Sequence, residues 1–246
     1  MRYIITHGHI FKNAGSTFDT ALKKAFGQDF VDHRDDKSMR KGGAKYLKQY
    51  LSENPNIKAL SSHHLCNPLP ECDDFKCIPV FFLRNPIERI ISIYNFEKKQ
   101  RANTPGALKA SSLNLMEYIK WRLSSEAPKT ISNYQTMYIG NDRRYKLLDK
   151  VDEEVFRNAY SRVVDEDVQI GIVEKFQESF SNITFRLEKY FPGIKFSYIN
   201  RNVDNKKNYY EKTKYAIEKM QPVLEEIINN NKYDIFLHHV ASLKNS

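Results

Sequence analysis

The chain lacks the long apolar runs that a membrane span requires. No stretch of its 246 residues approaches the roughly 18 consecutive apolar positions of a spanning helix. The beginning of the sequence also lacks a basic segment followed by an apolar one, which is the pattern of a secretion signal. We therefore expect a cytoplasmic protein without a transmembrane segment.

Cysteine is scarce, and its spacing does not indicate a metal site. The three cysteines, Cys66, Cys72 and Cys77, contain no C-x-x-C pair. A zinc site would need histidine or carboxylate ligands in an arrangement that the sequence does not announce. We expect reduced thiols and no bound metal.

Acidic residues are outnumbered, because the formal net charge is +9 and the isoelectric point is about 9.2. Such an excess favours an anionic partner, such as a nucleotide or an acidic glycan, although a solubilising lysine-rich surface would explain the charge equally well. The lysines are scattered and form no basic tail, which argues against a nucleic-acid partner. We find no internal repeat and no linker, so we expect a single domain over residues 1–246.

Short β-branched or apolar segments alternate with amphipathic ones along the chain. We expect strands at residues 3–6, 57–60, 78–83, 168–172 and 196–199, and helices at 18–26, 46–54, 87–95, 113–123, 134–139, 153–164, 176–190 and 212–229. Residues 32–43 and 101–112 are read as loops. The segment at 78–83 is apolar on both faces, as in a central parallel strand. The pattern predicts an α/β fold with three layers, in which helices flank a mostly parallel sheet of four or five strands.

The first candidate site is the turn that joins the opening strand to a helix. Small residues there would let an anion approach the unpaired backbone N–H groups at the helix N-terminus. The residues of this turn are Lys12, Asn13, Ala14, Gly15, Ser16 and Thr17. The order differs from G-x-x-x-x-G-K-[ST], because the lysine precedes the glycine, and G-x-G-x-x-G is also absent. Taken alone, the turn is equally compatible with an ordinary helix start beside a chance lysine.

The second candidate site follows the strand at 78–83. Arg84 stands where that strand ends, which is the edge at which α/β sheets bind ligands, and its guanidinium suits a phosphate. Asn85 and Pro86 are typical first residues of a helix. Ser92 lies inside that helix, where its hydroxyl would reach the same group. Singly, Arg84 in an ion pair and Ser92 in helix packing are equally good interpretations.

Together, the two motifs resemble the paired signature of sulfotransferases that use 3′-phosphoadenosine 5′-phosphosulfate. The signature reads Lys12-x-x-Gly15-Ser16-Thr17 and Leu83-Arg84-x-Pro86-x-x-Arg89-x-x-Ser92-x-Tyr94. The segments "SSHHL", "IGIVEKFQESF" and "YINRN" resemble later parts of the carbohydrate branch that includes heparan sulfate 2-O-sulfotransferase. The matches extend from residue 3 to about residue 205, and the paired motifs are the specific ones.

The resemblance implies a transferase that moves a sulfuryl group from this nucleotide to a hydroxyl, as expected on a carbohydrate, without a metal. It implies that the first turn, including Lys12, binds the 5′-phosphosulfate and that Arg84 and Ser92 bind the 3′-phosphate. Arg201 and Asn202 would contact the nucleotide from a late loop. His63 or the adjacent His64 would be the base, because an imidazole titrates near neutrality.

Several assignments stay open at this point. Ser62 stands where the family has a glycine, so the sequence does not decide between the two histidines. His9 is a further neighbour of the first turn, residues 133–135 are weak acceptor-side candidates, and residues 100–135 are expected to decide the acceptor. A P-loop-like nucleotide kinase and a non-catalytic module that binds nucleotide or polyanion are the alternative functions.

Overall fold

A five-stranded sheet forms the centre of the protein. The computed structural model describes residues 1–142, 150–198 and 209–245. Within these ranges the strand order is β2-β3-β1-β4-β5, and every neighbouring pair is parallel. The strands are β1 (Arg2–Gly8), β2 (Phe30–His33), β3 (Ala59–Ser62), β4 (Phe75–Leu83) and β5 (Gln169–Ile172). The expected α/β class with a mostly parallel sheet is confirmed.

Helices connect the strands and cover both faces of the sheet. In the described ranges they are α1 (Gly15–Phe26), α2 (Asp36–Glu53), α3 (Pro86–Lys99), α4 (Pro105–Ser112), α5 (Leu115–Leu123), α6 (Tyr134–Gly140), α7 (Glu153–Val164), α8 (Phe176–Glu188), α9 (Tyr209–Met220), α10 (Leu224–Asn230) and α11 (Lys232–Lys244). No helix in the part of the chain that the structure describes is both long and apolar enough to cross a membrane.

Two buried apolar clusters on opposite faces of the sheet make the three layers. Successive residues of one strand alternate between them, so that Ile4 and Phe81 belong to the cluster under α2, α6, α7 and α11, whereas Ile5 and Phe82 belong to the cluster under α1 and α8. A third cluster, built mainly from α3, α5 and α9, extends the fold beyond the strand ends. The expectation of helices on both faces is therefore confirmed.

Three expectations for individual segments are wrong. Residues 32–43 are not one loop, because β2 ends at His33 and α2 begins at Asp36, with the Asp35 carboxylate accepting a hydrogen bond from the Ser38 N–H. Residues 105–112 form α4, whose N-cap is Thr104. Asp35 and Thr104 are residue types that occur both as helix N-caps and in loops. The sequence pattern around them therefore does not distinguish a helix start from a loop.

The expected last strand is also absent from the described residues. Residues 196–198 have no regular structure, and residue 199 lies outside the described ranges. Phe196 and Tyr198 are partly buried against the α1–α8 side of the sheet. Their apolar character therefore reflects packing and not strand formation.

The parallel register brings the ends of three strands to one row. Gly8 of β1 lies opposite Ser62 of β3, and Ser62 lies opposite His33 of β2. The residues that follow these ends, His9, His63 and Arg34, consequently emerge side by side at the carboxyl edge of the sheet. This edge is where ligands bind in parallel α/β folds.

Candidate active site

The first turn is held in a strained but well-anchored conformation. Lys12 and Ala14 both have left-handed backbones, with φ of 66° and 59°. The Asn13 side chain is buried and donates from Nδ2 to the Phe82 carbonyl at 2.7 Å and to Gln135 Oε1 at 2.6 Å. Asn13 therefore fixes the turn to β4 from below, and its side chain faces away from any ligand that would lie on the turn.

The helix that follows the turn, α1, begins without a side-chain cap among the described residues. Gly15 and Thr17 are buried at this end, whereas Ser16 is exposed. The Thr17 N–H donates to the Ala14 carbonyl at 3.0 Å, so an anion here would be held by the Gly15 and Ser16 N–H groups and the Ser16 hydroxyl, and the helix dipole would favour it.

The two motifs meet in one cavity. Its volume is about 510 Å³, within the range of roughly 300–1,000 Å³ that is usual for small-molecule sites. The lining residues are Lys12, Arg84, Glu88, Ile91, Ser92, Asn95, Phe96, Lys99, Tyr215 and Ala216. The structure therefore brings Lys12 together with Arg84 and Ser92, although Lys12 and Arg84 are 72 positions apart in sequence.

The cavity carries an excess of positive charge. Lys12 lies over the Phe96 ring, with its Nζ 4.3 Å from the ring centroid. Burial, followed by the nearby charges of Arg84 and Lys99, lowers the pKa of Lys12. A bound anion would be stabilised here, because its negative charge would offset the repulsion among Lys12, Arg84 and Lys99.

One acidic residue stands among these cations. Glu88 Oε2 lies 3.7 Å from Arg84 Nη2, and Glu88 Oε1 accepts a hydrogen bond from the Thr213 hydroxyl at 2.8 Å. Arg84 also has a buried Nε without a partner among the described residues. The guanidinium thus keeps donor capacity beyond its ion pair with Glu88, and three cations against one carboxylate leave a net positive site.

Gln135 joins the two motifs beneath the cavity. Besides accepting from Asn13, its Oε1 accepts from the Arg84 N–H at 2.9 Å, and its Nε2 donates to the Arg84 carbonyl at 2.9 Å. Gln135 is 1% exposed. Gln135 therefore links the two loops, a role that its position in the sequence does not reveal.

The two adjacent histidines after β3 point to different partners. The His63 ring packs on the His9 ring, with centroids 4.1 Å apart. His64 Nε2 instead lies 3.6 Å from the Asp36 carboxylate at the start of α2. His63 therefore lies next to His9, beside the first turn. Neither His63 nor His64 lines the cavity that contains Lys12, Arg84 and Ser92.

His63 has an environment that keeps its ring neutral. Burial lowers the pKa of His63 to about 4, and the nearby His9 and Arg34 side chains act in the same direction. A neutral imidazole can accept a proton, so the ring is in the form that a general base needs.

A hydrogen-bonded cluster of His7, His9 and Asp19 supports this side of the turn. The two carboxylate oxygens of Asp19 accept from His7 Nδ1 and His9 Nδ1, each at 2.7 Å. Burial raises the pKa of Asp19, but the attraction of the two histidines outweighs burial and holds that pKa well below its usual range. Sequence reasoning missed Asp19, although its place one helical turn after Gly15 brings it back toward the end of β1.

The same three residues have ligand types that could hold a metal ion. Their candidate ligand atoms all lie within 4.8 Å of one another. The contacts of 2.7 Å are hydrogen-bond distances, so the arrangement serves as a hydrogen-bonded triad as it stands. The remaining predicted residues, Arg201 and Asn202, lie outside the described ranges.

Comparison with known proteins identifies the family of the chain. A model described as the sulfotransferase family matches residues 1–239. The chain is also 30% identical over 211 residues to an uncharacterized protein of Archaeoglobus fulgidus, in an alignment that covers 82% of this chain and 80% of that relative. The parallel sheet flanked by helices is the fold expected of such a protein. On this evidence the chain belongs to the sulfotransferase family.

Proposed function

We propose that this protein transfers a sulfuryl group from 3′-phosphoadenosine 5′-phosphosulfate to a hydroxyl group on a carbohydrate. The observation that carries the proposal is the cavity lined jointly by Lys12, Arg84 and Ser92, together with the N-terminus of α1, which no side chain caps in the described part of the chain. Membership of the sulfotransferase family supports sulfuryl transfer in general. The particular donor and the carbohydrate acceptor are the parts that we add.

The donor would lie across the two motifs. The backbone of residues 13–17 and the Ser16 hydroxyl would hold the 5′-phosphosulfate at the start of α1, where the helix dipole favours an anion. Arg84 and Ser92 would hold the 3′-phosphate, with Arg201 and Asn202 closing on the nucleotide from the late loop. The phosphate would compete with Glu88 for Arg84, whose contact of 3.7 Å with Glu88 is longer than a hydrogen bond.

Lys12 and His63 would carry out the chemistry. The donor supplies a sulfuryl group on a phosphate leaving group. His63 would take the proton from the acceptor hydroxyl while the new O–S bond forms and the S–O bond to the phosphate breaks. Lys12 would neutralise the negative charge that gathers on the leaving phosphate. The products are a sulfate ester, 3′-phosphoadenosine 5′-phosphate and a proton held by His63.

The placement of the histidines favours His63 over His64 as the base. His63 packs on His9 beside the first turn, whereas His64 faces the Asp36 carboxylate. Because the pKa of His63 is lowered to about 4, its ring is neutral at pH 7 before the donor binds. The negative charge of a bound donor would then raise that pKa and strengthen the base.

The carbohydrate acceptor, and the branch that acts on heparan sulfate, rest on resemblance. The segments "SSHHL" and "IGIVEKFQESF" carry that resemblance. We assign acceptor recognition to residues 100–135 and treat residues 1–246 as one sulfotransferase domain, in line with the family match over residues 1–239. The cytoplasmic location stays a prediction.

Calorimetric titration separates this function from the kinase alternative. We expect 3′-phosphoadenosine 5′-phosphate to bind in buffer that contains EDTA, because the cavity supplies its own cations and the first turn lacks the Lys-Ser/Thr order of a Mg²⁺–nucleotide loop. ATP with Mg²⁺ serves as the comparison ligand. Binding of ATP–Mg²⁺ without binding of the adenosine bisphosphate would favour the kinase and contradict the proposal.

A further inference from the structure

Asp19 has a position that the proposed reaction does not yet use. It lies on α1, directly behind the first turn, and its side chain is 13% exposed. Both of its oxygens are occupied by histidine Nδ1 atoms, one from His7 and one from His9. The Asp19 carboxylate therefore lies between the two imidazole rings at the end of β1. Because it binds both rings, it fixes the orientation of both.

The carboxylate also fixes where the hydrogens of these rings lie. An ionised carboxylate can only accept hydrogen bonds, so the Nδ1 atoms of His7 and His9 must both carry a hydrogen. Nε2 is then the nitrogen of each ring that gains or loses a proton. In His9 this nitrogen lies on the ring edge that faces Gly15, because a Cβ placed on Gly15 would come within 2.4 Å of His9 Nε2.

His9 in turn forms one wall of the place where His63 lies. The two ring centroids are 4.1 Å apart with an angle of 33° between the ring planes. The charge of His9 is one of the influences that lower the pKa of His63, after burial. A change in the orientation of the His9 ring would therefore change the packing around the His63 ring.

We propose that Asp19 is a positioning residue for sulfuryl transfer, which it serves by holding the His9 ring between the first turn and His63. The inference rests on the proposed function and deepens it, because Asp19 touches neither the cavity nor the expected reacting atoms. With its Nδ1 anchored, the His9 ring stays beside Gly15 and keeps the His63 ring in place. Asp19 thereby plays the part that an orienting carboxylate plays behind a catalytic histidine.

The test compares substitutions of the two histidines that bind the Asp19 carboxylate. His9→Asn and His7→Asn each keep an N–H donor near the position of Nδ1 and remove the rest of the ring. If Asp19 acts through His9, transfer activity falls at least about tenfold in His9→Asn and in Asp19→Asn, since loss of an orienting carboxylate costs up to about 10⁴-fold elsewhere. His7→Asn keeps activity within about twofold once its folded fraction is matched by circular dichroism.

Two further measurements separate positioning from mere stability. Calorimetry should give nearly the same affinity for 3′-phosphoadenosine 5′-phosphate in Asp19→Asn as in the original protein, so that turnover changes and donor binding does not. Long-range ¹H–¹⁵N spectra should show His9 as the Nδ1–H tautomer, and this signal should change in Asp19→Asn. Asp152→Asn is the matched control, because Asp152 caps α7 and asparagine caps equally well.

The possible results differ clearly. An original protein that transfers nothing to any acceptor would overturn the proposed function and this role with it. Full turnover with an unchanged pH–rate profile in Asp19→Asn, in an otherwise active enzyme, would overturn the role of Asp19 alone. Equal losses in His7→Asn and His9→Asn would also overturn it, because the carboxylate would then support the fold and not the His9 ring.

Discussion

Gly15 gives the sharpest test of how the first turn is built. A Cβ at this position would lie 2.2 Å from His9 Cδ2 and 2.4 Å from His9 Nε2, so the His9 ring cannot stay in place beside alanine. Gly15 does not have a positive φ, and backbone strain therefore does not enter. The ring that leaves loses its hydrogen bond to the Asp19 carboxylate, which at 2.7 Å is a charge-assisted contact.

The loss of the His9–Asp19 hydrogen bond sets the expected change in the free energy of unfolding. A hydrogen bond to a charged group contributes about 1.5–3 kcal/mol, so we expect Gly15→Ala to lower the free energy of unfolding by about 2–3 kcal/mol. In a His9→Ala background the space is empty, and Gly15→Ala should change stability by less than about 1 kcal/mol, since alanine also favours the helix. The two substitutions should therefore be coupled by roughly 2 kcal/mol.

Urea unfolding, followed by circular dichroism on the original protein, the two single variants and the double variant, measures this coupling. An equal cost of Gly15→Ala in both backgrounds would refute the reasoning, because the His9 ring would then not be what requires glycine at this position.

Three further predictions concern the cavity, the anchor of the turn and the pH dependence. Arg84→Ala should weaken binding of 3′-phosphoadenosine 5′-phosphate by about 2–3 kcal/mol in calorimetry and binding of 5′-AMP far less; equal losses for both ligands would remove Arg84 from the 3′-phosphate site. Asn13→Ala should lower the free energy of unfolding by about 2–3 kcal/mol in urea, because it leaves the buried Phe82 carbonyl without its 2.7 Å donor; an unchanged midpoint would contradict the anchoring role. Because the pKa of His63 is lowered from 6.5 to about 4, the folded state favours the neutral ring, so its stabilising effect is full above pH 6.5 and is lost as the pH falls toward 4. His63→Asn should flatten the stability curve between these two pH values, and an identical curve would show that the His63 pKa is not lowered.

The fold could be predicted largely from local patterns. The β4 segment is apolar on both faces and pairs on both sides, so its composition alone indicates a central strand. Asn85 and Pro86 begin α3 as their capping preferences require. The edge strand β2 is harder to predict, because among the described residues it pairs with β3 alone and it places a polar Asp32 in a run of four residues.

The site was predictable where one motif carries its own chemistry and unpredictable where distant residues meet. Lys12 and Arg84 follow the ends of β1 and β4, and Ser92 lies on α3 directly after Arg84. Because the parallel sheet brings strand ends together, their meeting in one cavity follows from the motifs. The types of Gln135 and Asp19 do not identify them as site residues, because a buried amide or carboxylate looks like a surface residue until its tertiary partners are known. The contact of Gln135 with Asn13 spans 122 positions in sequence, and Asp19 is placed by histidines only 10 and 12 positions away.

Transfer of labelled sulfur tests the central claim most directly. The protein is incubated with ³⁵S-labelled 3′-phosphoadenosine 5′-phosphosulfate, in EDTA, against a panel of hydroxyl acceptors that includes oligosaccharides, and His63→Ala is assayed beside the original protein. We predict label on at least one acceptor and a loss of turnover of about 10²-fold or more in His63→Ala, which is the usual contribution of a general base. No labelled acceptor, or equal turnover in both proteins, would contradict the account.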